Sequence, residues 1–246
     1  MFTFFFIFFI LLIASGILFG TFIFHHSDEQ RPKRLLRHAE AKGYGFEESG
    51  LAQLHSWNQR SPIFQTGDNR QIMNVVYGPY RDVEFSLFDY MFQHGEQTIS
   101  TSVLAFDLKN KGMPRFSLWP QKMIPAQALL LPEEDCVPLN LDANNMQQHY
   151  RLHTASEGTA RLLFCPKTTD YLTAHPDFFV EGSGNWIVLY QLNKRRQPAQ
   201  IEDMIHAGYQ MLRALRLNDS RVNFEDDTED SDSVIEERNS STEIKT

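Results

Sequence analysis

The chain has 246 residues, of which 42% are hydrophobic, and a formal net charge of -8. Residues 218–246 hold ten acidic and three basic residues, a net charge of -7, which leaves -1 for everything before them. A near-neutral body without a basic stripe has no electrostatic footprint for nucleic acid, so we expect no nucleic-acid partner. Two cysteines, Cys136 and Cys165, are too few for a disulfide framework.

The first 24 residues form the predicted membrane anchor. No charged side chain occurs from position 2 to position 24. At about 1.5 Å per helical residue this run spans roughly 34 Å, slightly more than a ~30 Å hydrocarbon core, which predicts one transmembrane helix over residues 1–24. A cleaved secretory signal is the alternative. It would need a basic start and a shorter apolar stretch, and both features are missing here.

Four basic residues follow the predicted anchor, and they set its expected orientation: Arg31, Lys33, Arg34 and Arg37. The positive-inside rule assigns such a flank to the cytoplasm, so we expect the amino terminus outside and the globular domain in the cytoplasm, at a bacterial inner membrane. These side chains serve as a topology signal, or they also contact anionic headgroups at the membrane surface. The alternative topology places the domain outside the cytoplasm, where the two cysteines would be able to pair.

Small residues on the predicted anchor suggest helix association. Gly16 and Gly20 form a G-x-x-x-G motif, which allows a second transmembrane helix to approach closely. The hypothesis is a homodimer formed through this face of the helix. The partners expected from sequence are therefore the lipid bilayer, a second copy of the chain, and a protein partner of the domain.

The domain organisation follows from the rest of the chain. A short basic juxtamembrane helix is predicted over residues 27–43, because S-x-x-Q at its start resembles a capping box and a glycine stands at its end. Residues 44–217 are enough for one globular domain. Residues 218–246 combine low hydrophobicity with like charge, which predicts a disordered acidic tail.

Within the domain, the pattern predicts an α+β fold with an antiparallel sheet. A helix is predicted near residues 51–57, a loop over 61–71, and a meander of strands over 72–77, 83–92, 98–108 and 115–119, whose links are too short for parallel crossovers. Strands over 139–141 and 150–154 and helices over 156–164 and 170–174 follow, separated at Cys165-Pro166. A hairpin over 178–190 and an amphipathic helix from Pro198 complete the fold.

The chemical motifs do not assign a catalytic, cofactor-binding or metal-binding residue, and no cofactor is expected. His149 and His153 stand four apart but lack a third ligand at a recognised spacing. Asp89, in a predicted strand, is a conceivable acid, but the sequence shows no partner for it. Residues 182–184 lack the spacing of a nucleophile elbow. Cys165 follows an apolar stripe, which predicts a buried, inert thiol.

The order of anchor, basic helix, strands, paired helices, the FFVEGSGNWIVLY hairpin and a final amphipathic helix resembles uncharacterised single-pass bacterial membrane proteins. The strands closed by a C-terminal helix also resemble pleckstrin-homology-like modules, although helices over 156–174 interrupt that order. Neither resemblance implies an activity, a ligand or a functional residue. The sequence therefore favours a non-enzymatic, membrane-tethered binding or scaffold module, and the alternative is a membrane-anchored, hydrolase-like enzyme with a discontinuous site.

Overall fold

The computed structural model describes residues 29–50, 61–109, 113–123, 136–140 and 146–215. The predicted anchor with Gly16 and Gly20, the helix expected near residues 51–57, and the acidic tail lie outside these described residues. Within the described ranges, no helix combines the length and the apolar character that a membrane crossing requires.

Helices and strands alternate irregularly along the described chain, with most strands in its first half. The helices are α1 Arg31–Lys42, α2 Met146–His149, α3 Glu157–Leu163, α4 Pro166–Ala174 and α5 Ile201–Ala214. The strands are β1 Gly45–Ser49, β2 Asp68–Tyr80, β3 Val83–His94, β4 Gln97–Asp107, β5 Met113–Pro120, β6 Val137–Leu139, β7 Tyr150–Thr154, β8 Phe179–Gly184 and β9 Trp186–Tyr190. Short 3-10 turns cover Pro62–Gln65, Gln121–Met123 and Pro198–Gln200.

The strands form one sheet in the order β1-β2-β3-β4-β9-β8-β5-β7-β6, and the neighbouring strands pair antiparallel. The α+β class with a large antiparallel sheet, predicted from sequence, is confirmed. The meander is correct only as far as β4, because β5 pairs with β8 and β7 rather than with β4. The late β8–β9 hairpin lies between β4 and β5, and a local strand pattern contains no information on such an insertion.

Each face of the sheet has its own buried cluster. The helix-side face includes Phe85, Leu87, Leu104, Phe106 and Leu189, and it packs against α1 and α5. The opposite face is rich in aromatic residues, among them Phe88, Tyr90, Phe92, Phe179 and Tyr190. The 3-10 turn at Pro62–Gln65 covers part of this opposite face with Ile63 and Phe64. The sheet is therefore the middle layer of the described fold.

One strand boundary was predicted wrongly, and one polar residue is buried. The strand expected to stop before Gly78-Pro79 continues through both residues to Tyr80, which pairs with Val83. The last pair between β1 and β2 joins Gly45 to Tyr77, so β1 does not pair with Pro79. Proline has no amide hydrogen to donate, and at this position no hydrogen bond to β1 is lost. On β4, the polar residue Ser102 is fully buried.

The second half of the domain follows its sequence signals closely. The helices separate at Cys165, whose backbone is extended with ψ 167° before Pro166. In the β8–β9 hairpin, Ser183 pairs with Trp186, and Gly184 in the turn has φ +56°, which glycine adopts without strain. α5 buries an apolar stripe on the sheet, as predicted.

Candidate functional site

The element closest in sequence to the predicted anchor is α1. Proline in its first turn suits the start of a helix, and Gly43 at φ +74° supplies the left-handed residue that ends it. The amides of Gly43 and Tyr44 donate to the carbonyls of Glu40 and Ala39, which satisfies the last turn. The expected cap is different: Gln30 is the N-cap and makes no side-chain capping bond.

One face of α1 belongs to the core of the domain. Leu35 and Ala39 are buried in the helix-side cluster together with residues of the sheet. At the end of the helix, His38 Nε2 lies 3.6 Å from Glu202 Oε1, and the Tyr44 hydroxyl donates to Glu202 Oε2 at 3.5 Å. Burial, followed by the Glu202 carboxylate, raises the pKa of Tyr44. α1 is thus packed into the same body as the sheet and α5.

The start of α1 is held by a buried ion pair. Arg31 is 4% exposed and Asp89, in the middle of β3, is 2% exposed. The guanidinium donates from Nε to Oδ2 at 2.6 Å and from Nη2 to Oδ1 at 2.7 Å, a bidentate arrangement. Arg31 was predicted to belong to the basic membrane flank. Its side chain lies inside the domain, paired with Asp89.

Two further side chains complete the bonding of the Asp89 carboxylate. Asn74 Nδ2 donates to Oδ2 at 3.0 Å, and Ser102 Oγ donates to Oδ1 at 3.0 Å. Asn74 has φ +56° and lies at a register shift of β2, a bulge that directs its amide towards β3. Ser102 also accepts the backbone N–H of Arg196 at 2.9 Å, which ties the chain before α5 to the same point. The candidate acid Asp89 therefore has four donors within the fold, where the sequence had shown none.

The other face of α1 is basic. Lys33, Arg34 and Arg37 are exposed, and the exposed Leu36 lies among them. The four basic residues that were predicted as one group therefore have two roles. One forms the buried ion pair with Asp89, and the other three are exposed on the surface. Because Arg31 and Leu35 fix the rotation of the helix, the direction of this basic face is fixed relative to the sheet.

A second buried carboxylate, Glu181, lies on the opposite face of the sheet and was missed from sequence. It accepts hydrogen bonds from the hydroxyls of Ser61 and Tyr190, and from the Ile63 amide at 3.4 Å. Burial, followed by Glu181, raises the pKa of Tyr190 well above its ordinary value. Glu181 fastens the turn at Pro62–Gln65 to the sheet. A glutamate between Val180 and Gly182 in an apolar strand was the signal that would have found it.

The remaining sequence candidates are not brought together. In the described ranges, no group of three His, Cys, Asp or Glu side chains is placed to hold a metal ion. His153 lies on β7 with its ring 4.9 Å from that of Trp119, and His149 ends α2. Cys136 and Cys165 are half-buried thiols. Cys165 was expected to be buried, so this expectation was only partly correct.

Comparison with known proteins gives one line of fold similarity. No protein family matches the sequence, and no curated protein matches it. The crystal structure of the mycobacterial trehalose monomycolate transport factor A, TtfA, superposes with a TM-score of 0.58 at 18% sequence identity. The superposition covers 76% of this chain and 96% of that one. At this identity the similarity concerns the fold, and the chain has the fold of that transport factor.

Proposed function

We propose that the protein is a membrane-tethered, non-enzymatic binding module, whose α1 seats the domain on the anionic surface of the bilayer that holds its anchor. The observation that carries this proposal is the bidentate pair of Arg31 with Asp89, because it makes α1 a rigid part of the domain. A basic face on a rigid element orients the whole domain, whereas a loose basic linker would only attract it.

Chain length supports the bilayer as the occupant of the basic face. Six residues separate Phe24, the end of the apolar run, from Arg31 at the start of α1. Such a segment reaches at most about 25 Å when fully extended, so α1 stays near the headgroups if residues 1–24 span the membrane. Lys33 and Arg37, at ~1 kcal/mol each near an anionic surface, supply about 2 kcal/mol. That is enough to bias the orientation of a domain already confined there.

The similarity in fold to TtfA is the basis for proposing an accessory rather than an enzymatic role. That protein is named a trehalose monomycolate transport factor. We propose by analogy of fold that this chain serves as an accessory subunit beside a membrane protein partner. Crosslinking the full chain in its own membrane and recovering one defined partner would support this role, and turnover of a substrate by the purified chain would contradict the non-enzymatic assignment.

The seating of α1 is testable in nanodiscs with the full chain. Cys136 and Cys165 are replaced by serine, and a fluorophore is attached at Ala41→Cys on the exposed side of α1. Energy transfer to headgroup-labelled lipid is then compared between anionic and zwitterionic nanodiscs. We expect greater transfer in anionic nanodiscs, and we expect the double variant Lys33→Gln/Arg37→Gln to remove the difference.

A matched control changes the same charge elsewhere. Lys194→Gln/Arg213→Gln removes two exposed cations that do not lie on α1, and it should leave the transfer unchanged. Equal transfer in both lipids, or equal loss in both double variants, contradicts the seating. The same cysteine at position 41, treated with an impermeant thiol reagent in intact cells and in lysates, reports the side of the membrane. Labelling restricted to lysed cells supports the cytoplasmic placement.

We also propose that the anchor pairs through its small-residue face, which would place two domains side by side. Gly16→Ile introduces a branched side chain where a second helix would approach. Reduced self-association of the full chain in detergent supports the homodimer, whereas an unchanged association removes this face from consideration.

A further inference from the structure

The basic face of α1 is the densest group of exposed cations in the part of the chain that the structure describes. The helix exposes Lys33, Arg34, Arg37 and Lys42 against one acid, Glu40, a balance of four positive charges and one negative charge. In the other described ranges, no stretch of twelve residues exposes more than two lysines or arginines. This face therefore attracts an anionic segment of the chain itself as well as anionic headgroups.

The same chain carries the opposite charge in a short stretch that follows α5. Residues 225–232, with the sequence EDDTEDSD, hold six acidic side chains and no basic one. The other residues of 218–246 add four acidic and three basic residues, so this acidic stretch accounts for -6 of the net charge of -7. The acidic stretch and the basic face of α1 are therefore complementary in charge.

The tail begins on the side of the sheet that bears α1. Leu215, the residue after α5, is buried in the same helix-side cluster as Leu35 and Ala39. Near the start of α5, Glu202 Oε1 lies 3.6 Å from His38 Nε2 of α1. The two helices are thus neighbours, and the chain leaves α5 on the same side of the sheet as the basic face.

The basic face is within reach of the acidic stretch. The rise from Glu202 to Leu215 is about 20 Å, and the rise from His38 back to Lys33 is about 8 Å. With about 10 Å between packed helix axes, Leu215 and Lys33 are at most about 40 Å apart. Glu229, in the middle of the acidic stretch, follows Leu215 by fourteen residues, which span up to about 48 Å when extended. Because the stretch is tethered, its effective concentration at the face is on the order of millimolar.

We propose that residues 225–232 dock on the basic face of α1 when no anionic bilayer occupies it, and that anionic headgroups displace them. The docking requires only the two charged segments, whereas the displacement rests on the proposed seating of α1. The acidic stretch is then an internal competitor of the bilayer. It restricts firm seating of the domain to membranes that are rich in anionic lipid.

Docking is measured as a distance within the full chain in zwitterionic detergent. Spin labels are attached at Ala41→Cys on α1 and at Ser231→Cys in the acidic stretch, and Cys136 and Cys165 are replaced by serine. The screening length falls from about 10 Å at 0.1 M salt to about 3 Å at 1 M, so we expect the distance between the labels to lengthen by at least ~10 Å over that range. Pulsed electron paramagnetic resonance measures this distance.

Two double variants separate the basic face from charge in general. Lys33→Gln/Arg37→Gln should lengthen the low-salt distance to its high-salt value. The matched control, Lys109→Gln/Lys167→Gln, removes two exposed cations outside α1 and should leave the distance unchanged. A distance that does not respond to salt, or that changes equally in the two double variants, overturns the docking, whatever the energy transfer to headgroups in nanodiscs shows.

Displacement is tested by placing the same doubly labelled chain in nanodiscs. Anionic nanodiscs should lengthen the distance, and zwitterionic nanodiscs should leave it as in detergent. A short distance in both kinds of nanodisc overturns the displacement, and if headgroup transfer still differs between them, the seating of α1 stands.

A tail of the same length without its charge provides the reference for the released state. It should give the long distance in detergent and in both kinds of nanodisc, and a short distance in this variant overturns docking by charge. The variant is Glu225→Gln/Asp226→Asn/Asp227→Asn/Glu229→Gln/Asp230→Asn/Asp232→Asn.

Discussion

Replacing Asp89 by asparagine would test how firmly α1 is held. The substitution keeps the shape of the side chain and removes its charge, which leaves the Arg31 guanidinium buried without compensation. Removing one member of a buried ion pair costs about 3–5 kcal/mol. A domain of this size is stable by about 5–15 kcal/mol, so the loss is a large part of the total. The bonds from Asn74 and Ser102 to the same carboxylate argue for the upper half of this range.

The assay is denaturant unfolding of the full chain in detergent, with amide hydrogen exchange to locate the loss. We expect Asp89→Asn to lower the free energy of unfolding by about 3–5 kcal/mol and to increase exchange in α1 before the central strands. The double variant Arg31→Met/Asp89→Leu should recover part of that loss, since it removes the buried charge but leaves the donors of Asn74 and Ser102 without their acceptor. Such recovery would show that the single variant suffers from an uncompensated charge.

Glu157→Gln provides the contrast. Glu157 and Arg161 form an exposed pair one helical turn apart, and such pairs contribute only about 0.3–0.5 kcal/mol. If Asp89→Asn costs no more than Glu157→Gln, then Arg31 does not hold α1 to the sheet. The domain would then have no fixed orientation relative to the basic face of α1.

Three further outcomes follow from the packing and the pKa shifts. Gly208→Val should cost about 1–3 kcal/mol in a thermal or denaturant melt, because a Cβ there would stand 2.5 Å from Leu104 Cδ2. Because the pKa of His153 is lowered, the folded state binds fewer protons than the unfolded state, and the free energy of unfolding should fall as pH drops below about 6.5. Proton NMR should show that Arg151→Gln raises the pKa of His153. Because the pKa of Tyr190 is raised, the free energy of unfolding should fall as pH rises above about 10. Ultraviolet absorbance should show that Tyr190 ionises only when the domain unfolds.

Local signals predicted local structure well. The alternating strands β2 to β4, the β8–β9 hairpin and the amphipathic α5 are each encoded by contiguous residues with a clear period. The helix break at Cys165-Pro166 is likewise a steric property of two neighbours. These predictions needed no knowledge of which strand lies beside which.

The pairing of strands that are distant in sequence could not be predicted from these local patterns. The β8–β9 hairpin joins β4 to β5 across more than sixty intervening residues, and several antiparallel orders satisfy the same alternation. The burial of Ser102 has a similar cause, because its partner Asp89 is on another strand and its second partner follows β9. Polar residues at alternate positions of a strand predict a solvated face, unless a buried polar side chain forms hydrogen bonds with them.

Arg31 shows why a charge pattern predicts less than it suggests. In the sequence, Arg31, Lys33, Arg34 and Arg37 look equivalent, since each is a cation close to an apolar run. Helical geometry separates them: Arg31 and Leu35 are one turn apart and face the sheet, whereas the others point away from it. The acid that selects Arg31 lies 58 residues further along the chain.

This division of roles couples the fold of the domain to its placement. A helix that is amphipathic, basic and close to a membrane can bury its apolar stripe either in its own domain or in the interfacial layer of the bilayer. Leu35 and Ala39 are buried in the core of the domain. The Arg31–Asp89 pair holds the start of α1 in place, and the contact of His38 with Glu202 holds its end. In the proposed seating, the bilayer meets the exposed cations of α1 and the exposed Leu36. We therefore expect the proposed contact with headgroups to weaken as salt is added and to leave the core of the sheet intact.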